Sequence, residues 1–237
     1  SNKQENSWPT WLPLRSALRS SKPYGAPQLE HVVQLNTNEN PYPLVEEVKE
    51  RLSERMNELL GNLNRYPDRD ATSLRSKLAG YINSGSQTNF GVENIWAANG
   101  SNEIIQSIFL AFGSGRALGF VPSYSMHSLI GKVANVDFVE GARNIDFSLN
   151  LDSALTQISD LKPALTFITT PNNPTGTAVS ISELVELAEA TRGINGLLIV
   201  DEAYAEFSNE VSAISLIEKY PNVIVSRTMS KAFAFAG

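Results

Sequence analysis

The chain has no cysteine and only two histidines, His31 and His127, among its 237 residues. Disulfides, zinc–thiolate centres and cysteine nucleophiles are thereby excluded. The two histidines have no metal-ligand spacing and read as structural or surface residues, so no metal site is expected. A basic excess is missing as well: 19 Lys and Arg stand against 25 Asp and Glu, giving a net charge of -6. Nucleic acid is therefore not an expected partner. Nowhere do about 18 apolar residues follow one another as a membrane span needs. The apolar stretch from Trp8 to Leu14 is broken by Pro9 and Pro13 and lacks the core of a signal peptide, so a soluble, cytoplasmic protein is expected. Neither G-x-G-x-x-G nor G-x-x-x-x-G-K occurs, which leaves plain nucleotide binding unsupported.

What is present is a globular chain, 42% hydrophobic, long enough to bury one large core. Up to about Leu35 it is polar, Pro-rich and without periodicity, which reads as an extended arm. Leu44, Val45, Val48, Leu52, Met56, Leu59 and Leu60 then recur at helical steps before Gly61. A second helix runs through Leu74, Leu78 and Tyr81 to a break at Asn83-Ser84-Gly85. Beyond Ile95, four apolar runs read as buried strands: Ala117 to Val121, Ala164 to Thr169, Leu197 to Val200 and Val223 to Val225. Ser180-Ile181-Ser182-Glu183 is a capping box opening a helix between the second and third. The alternation predicts an α/β architecture with a mostly parallel sheet, whose functional groups gather at the carboxyl ends of the strands.

Polar clusters follow all four runs: Pro122-Ser123-Tyr124, Pro171-Asn172-Asn173-Pro174-Thr175-Gly176, Asp201-Glu202-Ala203-Tyr204 and Ser226-Arg227-Thr228-Met229-Ser230-Lys231. Asp201 closes a buried strand, so its carboxylate either needs a partner or caps a following helix. Glu202 should point to the opposite face. Asn99-Gly100-Ser101-Asn102-Glu103 opens a further helix, whose unpaired N–H groups suit a phosphate, although an ordinary cap is the simpler local reading. Taken singly, Lys231 reads as a surface amine, the Asn172–Gly176 segment as a turn, Tyr66, Tyr124 and Tyr204 as core aromatics, and 38–43 as a loop.

In order, LNTNENPYP (from Leu35), RYPD (Arg65), AANGSNE (Ala97), PSYSMH (Pro122), TPNNPTG (Thr170), VDEAYAEF (Val200) and the segment from Ser226 to Gly237 resemble the fold-type-I pyridoxal-phosphate aminotransferases, and among them the histidinol-phosphate aminotransferase group. The resemblance implies a mostly parallel sheet of the seven-stranded type with helices on both faces, residues 1–43 being an arm and substrate-closing segment and 44–237 the cofactor-binding large domain. Lys231 would carry pyridoxal phosphate as a Schiff base and act as general base. Asp201 would pair with the pyridine nitrogen, Asn173 and Tyr204 with the phenolic oxygen, and Tyr124 would stack on the ring. Ser101, Asn102, Thr228 and Ser230 would hold the phosphate, with Tyr66 reaching it from a second subunit of a homodimer. Asn38, Glu39 and Tyr42 would close over the substrate. The implied reaction moves an amino group between glutamate and imidazole-acetol phosphate. Alternatives with the same apparatus are an aromatic aminotransferase and a threonine-phosphate decarboxylase-like enzyme; a regulatory domain built on this fold is the non-enzymatic one. Family members continue past Gly237 with a further phosphate-binding Arg and a small C-terminal domain, so the sequence reads as a piece of a longer chain. Ala234 stands where relatives often have Gly.

Overall fold

The computed structural model describes residues 8–21, 25, 33 and 35–236. Five strands, β1 Arg116–Val121, β2 Asp137–Ala142, β3 Leu165–Thr169, β4 Leu197–Asp201 and β5 Val223–Ser226, form one parallel sheet in the order β2-β1-β3-β4-β5. The middle strands read LTFIT and LLIVD because a parallel sheet is covered on both faces and leaves little room for a polar side. Thr169 pairs with Asp201, and Asp201 with Ser226, so three strand ends finish level with one another.

Helices fill both faces. α1 is a single turn, Ser16–Arg19; the others are α2 Glu46–Leu60, α3 Thr72–Ser86, α4 Ser101–Phe112, α5 Met126–Ala134, α6 Leu151–Leu161 and α7 Ile181–Gly193. On one face Ile158 of α6 and Leu184 and Leu187 of α7 pack with Leu118, Ile168, Leu198 and Val200. On the other, Ile105, Ile108 and Phe109 of α4 and Ile130 of α5 pack with Ala117, Leu165, Phe167 and Ile199. Burying each such side chain contributes about 1.5–3 kcal/mol. Strand alternation thus sends Leu198 and Val200 one way and Ile199 the other, and Asp201 follows Ile199 toward α4 and α5.

The capping box at α7 forms as its sequence indicates: Ser180 N donates to Glu183 Oε2 at 2.8 Å and Glu183 N to Ser180 Oγ at 3.4 Å. Two elements depart from expectation. α3 runs through Asn83-Ser84-Gly85 instead of breaking there, because the Asn83 side chain is engaged by the chain just beyond the helix. Its Nδ2 donates to Phe90 O at 2.9 Å, and its Oδ1 accepts from Phe90 N and Thr88 Oγ1. β2 is a strand that the apolar runs do not reveal. It lies at the sheet edge, only Gly141 in it is buried, and its run of large apolar residues is limited to Phe138 and Val139.

Of the expected arm, residues 8–21, 25, 33 and 35–43 are described; Arg15 reaches the Val133 carbonyl on α5. α2 ends at Gly61 as its spacing predicts, yet none of its residues is buried. Among the described residues, no helix is long and apolar enough to cross a membrane.

Candidate active site

In chain order β2 goes to one side of β1 and β3 to the other, so the connections diverge at the carboxyl ends of β1 and β3. A crevice opens at such a switch point. A cavity of about 960 Å³ lies there, and Ser101, Asn102, Tyr124, Asn173, Asp201, Tyr204, Thr228, Ser230 and Lys231 all line it.

At its floor Asp201 is 1% exposed. His127 Nε2 donates to Asp201 Oδ2 at 2.9 Å, while Ala203 N donates to Oδ1 at 3.2 Å. His127, itself 3% exposed, is clamped by rings: Phe167 lies 4.9 Å away, tilted by 31°, and Tyr124 stands edge-on at 5.5 Å. A surface reading of His127 is therefore wrong; it is a buried brace for the strand-end carboxylate, and sequence reasoning missed that role. The available signal was its place on the first turn after a strand end, three residues beyond Tyr124. His31 lies outside the described residues.

One wall is the start of α4. Gly100 precedes Ser101 with φ +78°, a conformation that side chains rarely adopt, and nothing lies within 4 Å of where a Cβ would sit. The first turn of α4 therefore begins beside open space, with the Glu103 carboxylate folded back to accept Asn99 N at 2.7 Å. Thr228 and Ser230 line the same cavity, their hydroxyls 2.9 Å apart. Tyr124 OH donates to Asn102 Oδ1 at 3.3 Å, tying this wall to the end of β1.

The segment after β3 is more than a surface turn. Asn172, 3% exposed, accepts from Ser123 Oγ at 2.7 Å and donates to Pro122 O and Thr175 Oγ1, and Gly176, at φ +72°, closes the loop with its N–H on Asn172 O. This frame presents Asn173 to the cavity.

Glu202 faces away from Asp201, as strand alternation predicts. It accepts Arg227 Nε at 3.1 Å and Nη2 at 2.9 Å, Ser212 Oγ at 2.7 Å and Ala213 N at 2.7 Å. Arg227 Nη1 also reaches Glu206 Oε1 at 3.4 Å, which in turn accepts Tyr81 OH at 3.2 Å. Burial, and then the Glu206 carboxylate, push the Tyr81 phenol above its ordinary range. This ion-pair network lashes the end of β4 to that of β5, four residues before Lys231.

The amine of Lys231 is 3.1 Å from Thr37 O and 6.0 Å from the centre of the Tyr204 ring. Asn38 donates to Tyr204 OH at 3.0 Å. Segment 36–42 thus reaches two of the cavity's lining side chains, although Asn38, Glu39 and Tyr42 do not line the cavity themselves. Glu39 and Tyr42 lie exposed on it, and Tyr66, fully exposed, is not brought to this cavity.

Residues 30–237 match the family of class I and II aminotransferases, and the chain belongs to that family. It is 53% identical over 229 residues to the histidinol-phosphate aminotransferase of Mycobacterium marinum and 52% identical over 231 residues to that of Nocardia farcinica; each alignment covers 95% of this chain. The chain spans 59% of the length of both relatives. Its fold superposes on the histidinol-phosphate aminotransferase of Sinorhizobium meliloti in complex with pyridoxal-5'-phosphate with a TM-score of 0.71 at 24% identity, over 85% of this chain and 52% of that one.

Proposed function

We propose that this protein holds pyridoxal phosphate and, as a transaminase of histidine biosynthesis, exchanges an amino group between glutamate/2-oxoglutarate and imidazole-acetol phosphate/histidinol phosphate. One observation carries the cofactor half: a buried carboxylate braced by a histidine shares a cavity with a lysine amine and with an open helix N-terminus beside two hydroxyls. The donor set fits the cofactor group by group. Asp201, which among the described residues has no Lys or Arg on it, suits a protonated ring nitrogen, and the imidazole behind it keeps the carboxylate oriented. The α4 N-terminus with Thr228 and Ser230 suits a phosphate dianion. Asn173 and Tyr204 suit the phenolic oxygen, and Tyr124 the ring face. The high identity to the two relatives supports the substrate half.

When bound, pyridoxal phosphate supplies an electron sink that makes the proton on an amino acid's α-carbon removable. Asp201 keeps the ring nitrogen protonated. Lys231 anchors the cofactor and, as a free amine, takes the α-proton. Tyr204 and Asn173 would hydrogen-bond the cofactor's phenolic oxygen, and Asn38, Glu39 and Tyr42 would cover the substrate and exclude water. The protein acts as a homodimer in which Tyr66, exposed in one subunit, reaches the phosphate in the other.

Incubation with the cofactor, borohydride reduction and peptide mass mapping is expected to find a pyridoxyl group on Lys231, and none in Lys231→Ala; an unlabelled Lys231 refutes the assignment. In the whole protein, glutamate is expected to aminate imidazole-acetol phosphate faster than phenylpyruvate. The opposite order refutes the substrate.

A further inference from the structure

Segment 36–42 touches the cavity at three points. Thr37 O accepts from the Lys231 amine, Asn38 donates to the Tyr204 hydroxyl, and the carboxamide of Asn40 lies 3.4 Å from Lys231 O and 3.3 Å from Ala232 O. The first two contacts use Lys231 Nζ and Tyr204 OH, the atoms that the proposed function commits to the cofactor. The lysine contact must be surrendered when it binds, whereas the Tyr204 hydroxyl can accept from Asn38 and still donate to the cofactor. The Asn40 contact uses only main-chain carbonyls, 191 and 192 residues away, and is compatible with a loaded lysine. Asn40 also accepts Tyr42 N on its Oδ1 at 3.0 Å, so one side chain faces both ways. Its donors grip the lysine loop, and its acceptor shapes the turn that presents Tyr42.

On this basis, and resting on the function proposed above, we propose that Asn40 is a positioning residue that pins the substrate-covering segment to the backbone of Lys231. Lys231 O also receives Ala234 N at 3.3 Å, and Met229 O receives Phe235 N at 3.0 Å, so the grip acts on a short, internally bonded loop. Fixing that loop places the amine relative to the substrate's α-carbon, where misplacements of an ångström are felt in the rate.

Asn40→Asp tests the idea in the whole, cofactor-loaded protein. It keeps the shape and the acceptor for Tyr42 N but sets a carboxylate oxygen against two carbonyls. Loss of bonds of this kind is expected to speed hydrogen exchange at the Ala234 and Phe235 amides about tenfold. The single-turnover rate with glutamate should fall by about the same factor while KM changes little. Asn40→Leu should behave alike, and Asn40→Gln, which restores the donors, should recover part of both effects. Unchanged exchange in Asn40→Asp overturns the proposal, as does faster exchange with an unchanged rate. A wild-type protein whose Lys231 takes up no cofactor sinks the functional reading itself; one that does, with exchange indifferent to Asn40, sinks this proposal alone.

Discussion

Arg227 offers the sharpest test of what holds the strand ends together. Replacing it by Met keeps the apolar stem and removes two hydrogen bonds to one oxygen of Glu202, whose side chain is 3% exposed. Glu202 keeps Ser212 Oγ and Ala213 N, so the carboxylate is not stripped of donors, but its countercharge is gone. Breaking a buried pair from one side costs about 3–5 kcal/mol. Arg227 is a quarter exposed and water can enter where the guanidinium stood, so the expected loss is at the lower end, about 3 kcal/mol. In a domain of this size that lowers Tm by roughly 6–12 °C. Urea unfolding followed by circular dichroism reads the loss as a lower midpoint at unchanged slope. Adding Glu202→Gln to Arg227→Met removes the orphaned charge and is expected to restore about half of the stability. A single-variant loss below about 1 kcal/mol, or a double variant no better than the single, refutes the view that a buried countercharge ties β4 to β5.

Further outcomes are expected at other contacts. His127→Phe fills the ring pocket but leaves Asp201 Oδ2 without its donor; equilibrium dialysis should show cofactor affinity falling roughly tenfold, and an unchanged affinity removes His127 from the site. Ala234 sits at φ +57°, so Ala234→Gly should relieve left-handed strain and raise stability by about 0.5–1 kcal/mol in urea unfolding, whereas a loss contradicts that geometry. Arg143 is nine-tenths buried and its side chain donates to the carbonyls of Phe120, Phe147 and Thr169, and burial lowers its pKa; Arg143→Met removes these three bonds, with Phe147 O keeping Thr177 Oγ1, and should cost about 1–3 kcal/mol. Asp68 accepts Thr72 N and Asp70 N, and these bonds hold its pKa below the ordinary carboxylate value. A depressed acid stabilises the fold above its unfolded pKa and loses that contribution as pH falls through the folded one. Acid unfolding of Asp68→Asn should therefore lack part of the wild-type slope below the ordinary carboxylate range.

Much of the site was legible because its groups sit where strands end, and strands that are apolar throughout announce their ends. Asp201 and Glu202 are adjacent, and period-two alternation alone assigned them to opposite faces. The glycine before Ser101 marked a helix start with room in front of it. What escaped depends on contacts between distant parts of the chain. The place of His127 just past a strand end puts it near the site, but its partner, a carboxylate 74 residues on, is set by the tertiary fold. Asn83 looks like a helix breaker until Phe90 is seen to occupy its carboxamide. β2 is less buried than its neighbours because an edge strand pairs on one side only, and Asn40 grips carbonyls, which carry no sequence signature at all.

α2 illustrates a different dependence. Its 15 residues bury nothing, although Leu52, Met56, Leu59 and Leu60 share its outer surface, and ion pairs of the Lys49–Glu46 and Arg55–Glu58 kind add only about 0.2–0.5 kcal/mol each. A helix of that length without tertiary support is marginal in water. The amides of α2 should therefore exchange within the time of local fraying in this chain alone and slow only when another surface covers those leucines, which makes them a gauge of assembly that needs no substrate, no cofactor and no enzymatic assay.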